Sequence, residues 1–191
     1  MKPVSRVAPG VDPAEIKRIL KDFFNKSSDG ALITSRQLWQ KIVDGKAFSV
    51  SHRFTNIASN AEAVMVFNNP SESDRTAYIV IIEVVTMAQA WVDIYRDNII
   101  TDIGTAITPM NLNLGSNNTS VMQVGYNGAY VEGTLALNTV CPGGTRVRAI
   151  GGATEVGESV VIPPGKNMLV KVTNKSGSAQ DLSIRILWWE D

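Results

Sequence analysis

Cysteine and histidine are almost missing from this chain: in 191 residues there is one of each, Cys141 and His52. A disulfide framework needs paired thiols and a zinc centre needs three or four Cys or His ligands, so neither is expected, and no cofactor is implied. A Cys–His nucleophilic pair would need the two side chains within hydrogen-bond reach, and their spacing gives no reason to expect that. Long apolar runs are missing too. The longest, Tyr78 to Val85, contains Glu83 and falls far short of the ~20 residues that cross a bilayer, so a soluble protein with no membrane partner is expected. The first ten residues, MKPVSRVAPG, contain no continuous apolar stretch of the secretory kind, so no secretory signal is expected there, and the lone cysteine leads to the expectation of synthesis in a reducing compartment. Charge is scarce at 19%, and 18 Lys and Arg balance 18 Asp and Glu, so the whole chain has no field for gathering nucleic acid.

What is present is apolar material, 44% of the residues, with 15 Gly and 8 Pro to turn the chain, enough for one core of ordinary size. A surface poor in charge suits a protein in standing contact with copies of itself or with partners. The charges are unevenly placed. Residues 1–46 hold nine basic and five acidic side chains, a balance of +4 that leaves −4 for the remainder. An arm that meets an acidic surface and a solvated helix face account for this equally well.

Asp12-Pro13-Ala14-Glu15 places an N-cap, a proline at the first helical position and an acid three residues after the cap, which predicts a helix from about Pro13 to Asn25. Ile16, Ile19, Leu20, Phe23 and Phe24 form one apolar stripe on it. Thr34-Ser35-Arg36-Gln37 opens a second helix whose stripe is Leu38, Trp39, Ile42 and Val43, with Gly45 as its C-cap. Residues 1–45 therefore read as a short two-helix arm, and Ile16, Ile19, Leu20, Phe23, Leu38, Trp39 and Ile42 as its candidate docking side chains. From Lys46 the period changes to two: Phe48, Val50, His52 and Phe54 alternate with small or polar residues. Strands are expected at Ala61–Phe67, Ala77–Thr86, which is apolar on both faces and so central and covered on both sides, and Trp91–Tyr95. Further strands are expected near Ile99–Ile103 and at Val121–Tyr126, Thr134–Val140, Arg146–Ile150, Ser159–Ile162, Met168–Thr173 and Leu182–Trp189, with turn residues between them. The fold class that follows is mainly β, an antiparallel β-sandwich or jelly roll over residues 46–191. No crossover helices are available for a parallel sheet.

No set of residues points to catalysis. His52 reads as a hydrogen-bonded, half-buried strand residue, and Cys141 as a small buried side chain at a strand end. Asp93, Asp97 and Asp102 lie close enough in sequence to suggest calcium, but their spacing matches turn aspartates better. Pro142-Gly143-Gly144-Thr145 and Gly151-Gly152-Ala153-Thr154 lack the helix N-terminus of a phosphate cradle and read as hairpin turns. Trp188 and Trp189 are adjacent on the last strand and must face opposite ways, so only one can enter the core. The other needs a helix, a neighbouring subunit or a ligand over it. Trp91, Tyr95, Tyr126 and Tyr130 could join the exposed tryptophan in a sugar-stacking platform or in an interface.

The segment Val161 to Gly177, VIPPGKNMLVKVTNKSG, followed by Leu182 to Glu190, LSIRILWWE, resembles the closing strands of jelly-roll proteins from virus particles. With Asp44 to Ser51 and Asn111 to Ser120 the likeness extends over about residues 44–190, to particle proteins of tailed bacteriophages and related viruses. It implies a subunit that decorates the capsid or sits at the head or tail, commonly a homotrimer anchored by one end. It also implies the major capsid or another virion protein as partner, and a virion location after synthesis in the host cytoplasm. It implies no catalytic residues. A carbohydrate-binding module or receptor-binding tip is the alternative, with a glycan as partner. An enzyme would need two carboxylates brought together in a cleft.

Overall fold

The computed structural model describes residues 37–142, 148–150 and 160–191. The helix expected at 13–25, with Ile16, Ile19, Leu20 and Phe23, lies outside the described residues, as do both glycine pairs at 143–144 and 151–152. Two compact units divide the chain, Met1–Trp39 and Gln40–Asp191, and only three residues of the first are described. A short helix, α1, covers residues 37–43. It stops as expected at Gly45: with φ of +67°, this residue lets the Lys46 amide bond the Lys41 carbonyl and the Gly45 amide bond the Ile42 carbonyl. This double closure satisfies carbonyls that the helix end would leave bare.

After α1 every regular element among the described residues is a strand, and every pairing is antiparallel. The strands are β1 (Ala47–Ile57), β2 (Glu62–Asn68), β3 (Ala77–Thr86), β4 (Ala90–Arg96), β5 (Ile99–Asp102), β6 (Thr105–Ala106), β7 (Met110–Asn111), β8 (Gln123–Tyr126), β9 (Ala129–Val131), β10 (Thr134–Cys141), β11 (Arg148–Ile150), β12 (Val160–Ile162), β13 (Asn167–Asn174) and β14 (Gln180–Glu190). One sheet runs β11-β3-β14-β1-β7, with β12 sharing the β11 edge of β3. The second runs β10-β4-β13-β2-β8-β6, and β5 and β9 make a small third sheet. Successive long strands alternate between the two large sheets, β1 to β2 to β3 to β4 and finally β13 to β14.

The inner faces of the two sheets meet in one buried cluster. Phe48, Val50, Ile184, Ile186 and Trp188 come from the first sheet and Met65, Phe67, Val92, Val170 and Val172 from the second, an arrangement that is sandwich-like. Alternation delivers these side chains because inward positions recur every second residue. Strands β13 and β14 lie inside their sheets, each paired on both edges, which suits their apolar content. Strand β3 is likewise flanked on both edges, by β14 and by β11 and β12. Its outward side chains Tyr78, Glu83 and Val85 are only half-buried, so it is less covered than its apolar sequence suggests. Pro163-Pro164-Gly165 turns as its residues predict: Gly165 sits at φ +75° and the Lys166 amide bonds the Pro163 carbonyl, the arrangement a type II turn requires.

Trp188 and Trp189 part as adjacent strand residues must. Trp188 is wholly buried, packs edge-on against Phe67 with ring centroids 4.8 Å apart, and donates its Nε1 hydrogen to Glu190 at 3.0 Å. Trp189 faces outward and stacks on Tyr78 at 3.8 Å, with the Lys41 ammonium 4.7 Å from its ring. Glu190 is buried, and its carboxylate accepts hydrogen bonds from the Trp188 indole, the Ser120 hydroxyl, the Val121 amide and the Arg75 guanidinium. A buried charge survives where its lone pairs are filled in this way.

Candidate functional site

The feature that stands out begins with the edge strand β10. Opposite β4, Leu137 meets Ile94, Thr139 meets Val92 and Cys141 meets Ala90, while Leu135 meets Tyr95 and Val140 meets Trp91. Val92 and Ile94 belong to the core side of the sheet and Tyr95 to its outer side. Leu135 and Val140, of opposite parity in sequence, therefore share the outer face. A bulge between Leu135 and Leu137 makes this possible by adding one residue to β10. The strand is mostly solvent-exposed, with Leu135, Leu137 and Val140 at 45%, 51% and 50%.

Between β3 and β12 on one sheet and β4 and β10 on the other, the layers stand apart around an apolar cleft of about 840 Å³. Ile79, Ile82 and Val84 form one wall, and Val92, Ile94 and Leu137 the other. Val160 and Val161 of β12 also line it and are 44% and 49% exposed. One end is charged. Lys166 Nζ lies 2.8 Å from Asp97 Oδ1, and Arg96 Nε lies 3.9 Å from the other oxygen. The hydrogen bond from Lys166, then its charge, holds the Asp97 carboxyl below the usual carboxylate range.

The outer face of the second sheet is arranged differently. Ile100, Ile103, Tyr95 and Tyr130 pack over Val64, Val66 and Leu169 in a second cluster that the β5–β9 sheet helps to close. Lys171 is buried there. Its ammonium lies 2.5 Å from Glu132 and 3.6 Å from Glu62, and 5.0 Å from the Tyr95 ring centre. Burial opposes the ammonium form, but hydrogen bonds to Glu132 and Tyr95 and the charges of both glutamates outweigh it, so the net shift is upward. Burial also pushes the Tyr130 phenol up, helped by the charge of Glu62. Sequence reading missed this cluster. Its only signal was one lysine inside an otherwise apolar run.

The other expected residues are dispersed. His52 stacks on Tyr126 at 3.7 Å and meets Phe54 edge-on at 4.7 Å, and burial lowers its pKa. Cys141 is buried in the core, where desolvation raises its thiol. Among the described residues no three His, Cys, Asp or Glu side chains gather. Asp102 instead accepts the Gly104 amide, and Asp93 stands opposite Lys171 and Asn138. Of the aromatics, Trp91 is 48% exposed beneath the Lys175 ammonium, Tyr95 and Tyr130 share the outer cluster, and Tyr126 packs on the core. They do not form one platform. On α1, Leu38 and Ile42 are half-buried and Trp39 is 65% exposed.

Family models, curated proteins and solved structures were all compared with the chain, and none matches. The chemistry of the site must therefore be read from its own residues. An uncharged strand edge beside an apolar cleft can exchange surface with another strand or with an apolar body. Among the described residues Glu190, Lys171, Asp97 and Asp191 are each held by hydrogen-bonding or ion-pair partners.

Proposed function

We propose that this chain is a non-enzymatic structural protein of a virus particle, a capsid-decorating or head- or tail-associated subunit that self-associates and docks through its N-terminal segment. One observation carries the self-association: the exposed β10 edge and its cleft present apolar side chains, with no charged residue from Thr134 to Cys141. Contiguous exposed apolar surface of this kind marks an interaction site. The strand order supports the jelly-roll part of the reading. With β11 and β12 counted as one interrupted strand, the eight long elements in chain order are β1, β2, β3, β4, β10, β11/β12, β13 and β14. In that numbering the first sheet runs 1-8-3-6 and the second 2-7-4-5, the wrap of a jelly roll. The fixed partners of Glu190, Lys171 and Asp97 support the non-enzymatic part, because groups so held shape the fold. Mass measurement under native conditions tests the proposal. An oligomer, such as the trimer that the family resemblance implies, is expected, and a monomer at every concentration would refute it.

A carbohydrate-binding module or receptor-binding tip is the second reading, favoured by the half-exposed Trp91. A glycan array would then find a ligand, and Trp91→Ala would abolish its binding. An empty array removes this reading.

A further inference from the structure

Among the described residues β10 pairs with β4 alone, and its second edge differs from the other sheet edges. Strands β6 and β7 have two residues each and β11 and β12 three each. Strand β7 covers only Phe48 and Ser49 of β1, and β8 leaves the start of β2 uncovered, but those open stretches carry Arg53 and Glu62. Strand β10, by contrast, has eight residues and no charge. Short edges protect themselves, because they expose too few backbone groups to template a partner. A long edge is usually protected by a charge or a proline, and the stretch Thr134-Leu-Ala-Leu-Asn-Thr-Val-Cys141 has neither.

Charge also selects the partner. About a two-fold axis the residue on the axis meets its own copy and every other residue meets a different residue of the same strand, so a strand bearing charge of one sign would repel its copy. Strand β10 carries none and is compatible with itself. We infer that β10 pairs antiparallel with β10 of a second copy, joining the two six-stranded sheets into one. The inference rests on the self-associating reading above and names its surface.

Side-chain direction sets the register. Residues directly opposite in an antiparallel pair point to the same face. In β10, Leu137 and Thr139 face the core side, while Leu135, Asn138 and Val140 face outward. The register that respects this centres the axis on Asn138. Asn138 then faces Asn138 of the partner subunit, and two amides can each donate and accept. Leu137 meets Thr139 of the partner subunit. Beyond them the bulge brings Leu135 against Val140 of the partner subunit, so that two exposed apolar side chains cover each other.

Two variants of the full chain test this, each at the exposed Asn138. Opposed residues in such a pair have Cβ atoms ~4.5–5.5 Å apart, close to disulfide reach, so Asn138→Cys is expected to cross-link into a covalent dimer on mild oxidation. The native chain, whose only thiol is buried, is expected not to. Asn138→Asp would set two carboxylates face to face and weaken association about tenfold or more at neutral pH. If the native chain is monomeric at every concentration, the self-associating reading falls and takes this inference with it. If it forms an oligomer that Asn138→Asp leaves intact and Asn138→Cys does not cross-link, a trimer built on another surface included, the edge pairing alone is overturned.

Discussion

The two margins of the second sheet treat polar and apolar groups in opposite ways. On its outer face a charged side chain, Lys171, is buried and held by Glu62, Glu132 and the Tyr95 ring, under aromatic cover from Tyr130. At its β10 edge, leucine and valine stand in solvent beside an apolar cleft, with no charge on the strand. At the closed margin the buried ammonium of Lys171 finds its carboxylate partners within the same chain, at 2.5 and 3.6 Å. The open margin leaves Leu135, Leu137 and Val140 about half-exposed, and among the described residues no strand pairs with the second edge of β10.

The contrast can be broken most forcefully at the closed margin. Lys171→Ala leaves two glutamates facing each other above an apolar layer, and chemical denaturation should show a loss of about 2 kcal/mol. The glutamates are partly exposed, at 44% and 40%, which keeps the cost below that of a fully buried pair. Lys171→Met, which retains the volume, should cost less.

Alkaline pH attacks the same place. The folded pKa of Lys171 is raised, so its contribution is fully present below the ordinary lysine value of about 10.5 and is lost as pH rises through the higher folded value. Stability should fall above pH ~10.5 in the native chain and fall less steeply in Lys171→Met. His52 acts in the other direction. Its folded pKa is depressed, so its contribution is lost as pH falls below about 6.5. A pH titration of unfolding with His52→Gln as control separates the two effects, and the histidine effect should be the smaller.

At the open margin Leu137→Ser should alter the stability of the isolated chain by less than about 1 kcal/mol, because the side chain is half-exposed. Its effect should appear in the native mass instead. A large loss of stability with unchanged mass would erase the difference between the two margins.

Local chemistry made much of this molecule readable in advance. The cap at Gly45, the turn at Pro163-Pro164-Gly165 and the long strands each depend on residues within a few positions of one another. The two-residue strands β6 and β7 were missed because two residues cannot show a period. Strand alternation alone would place Leu135 and Val140 on opposite faces. The bulge that reunites them depends on how β10 matches β4, a strand some forty positions earlier.

By itself the chain's order of residues determined that this is a mainly β protein, that Trp188 and Trp189 must point apart, and where the backbone turns, because alternation and φ preference act over neighbouring residues. Only the tertiary structure decided which tryptophan is buried, which glutamates hold Lys171 and which long strand lies at a sheet edge among the described residues. Those outcomes depend on register between segments distant in sequence, and register is set by packing the whole core at once.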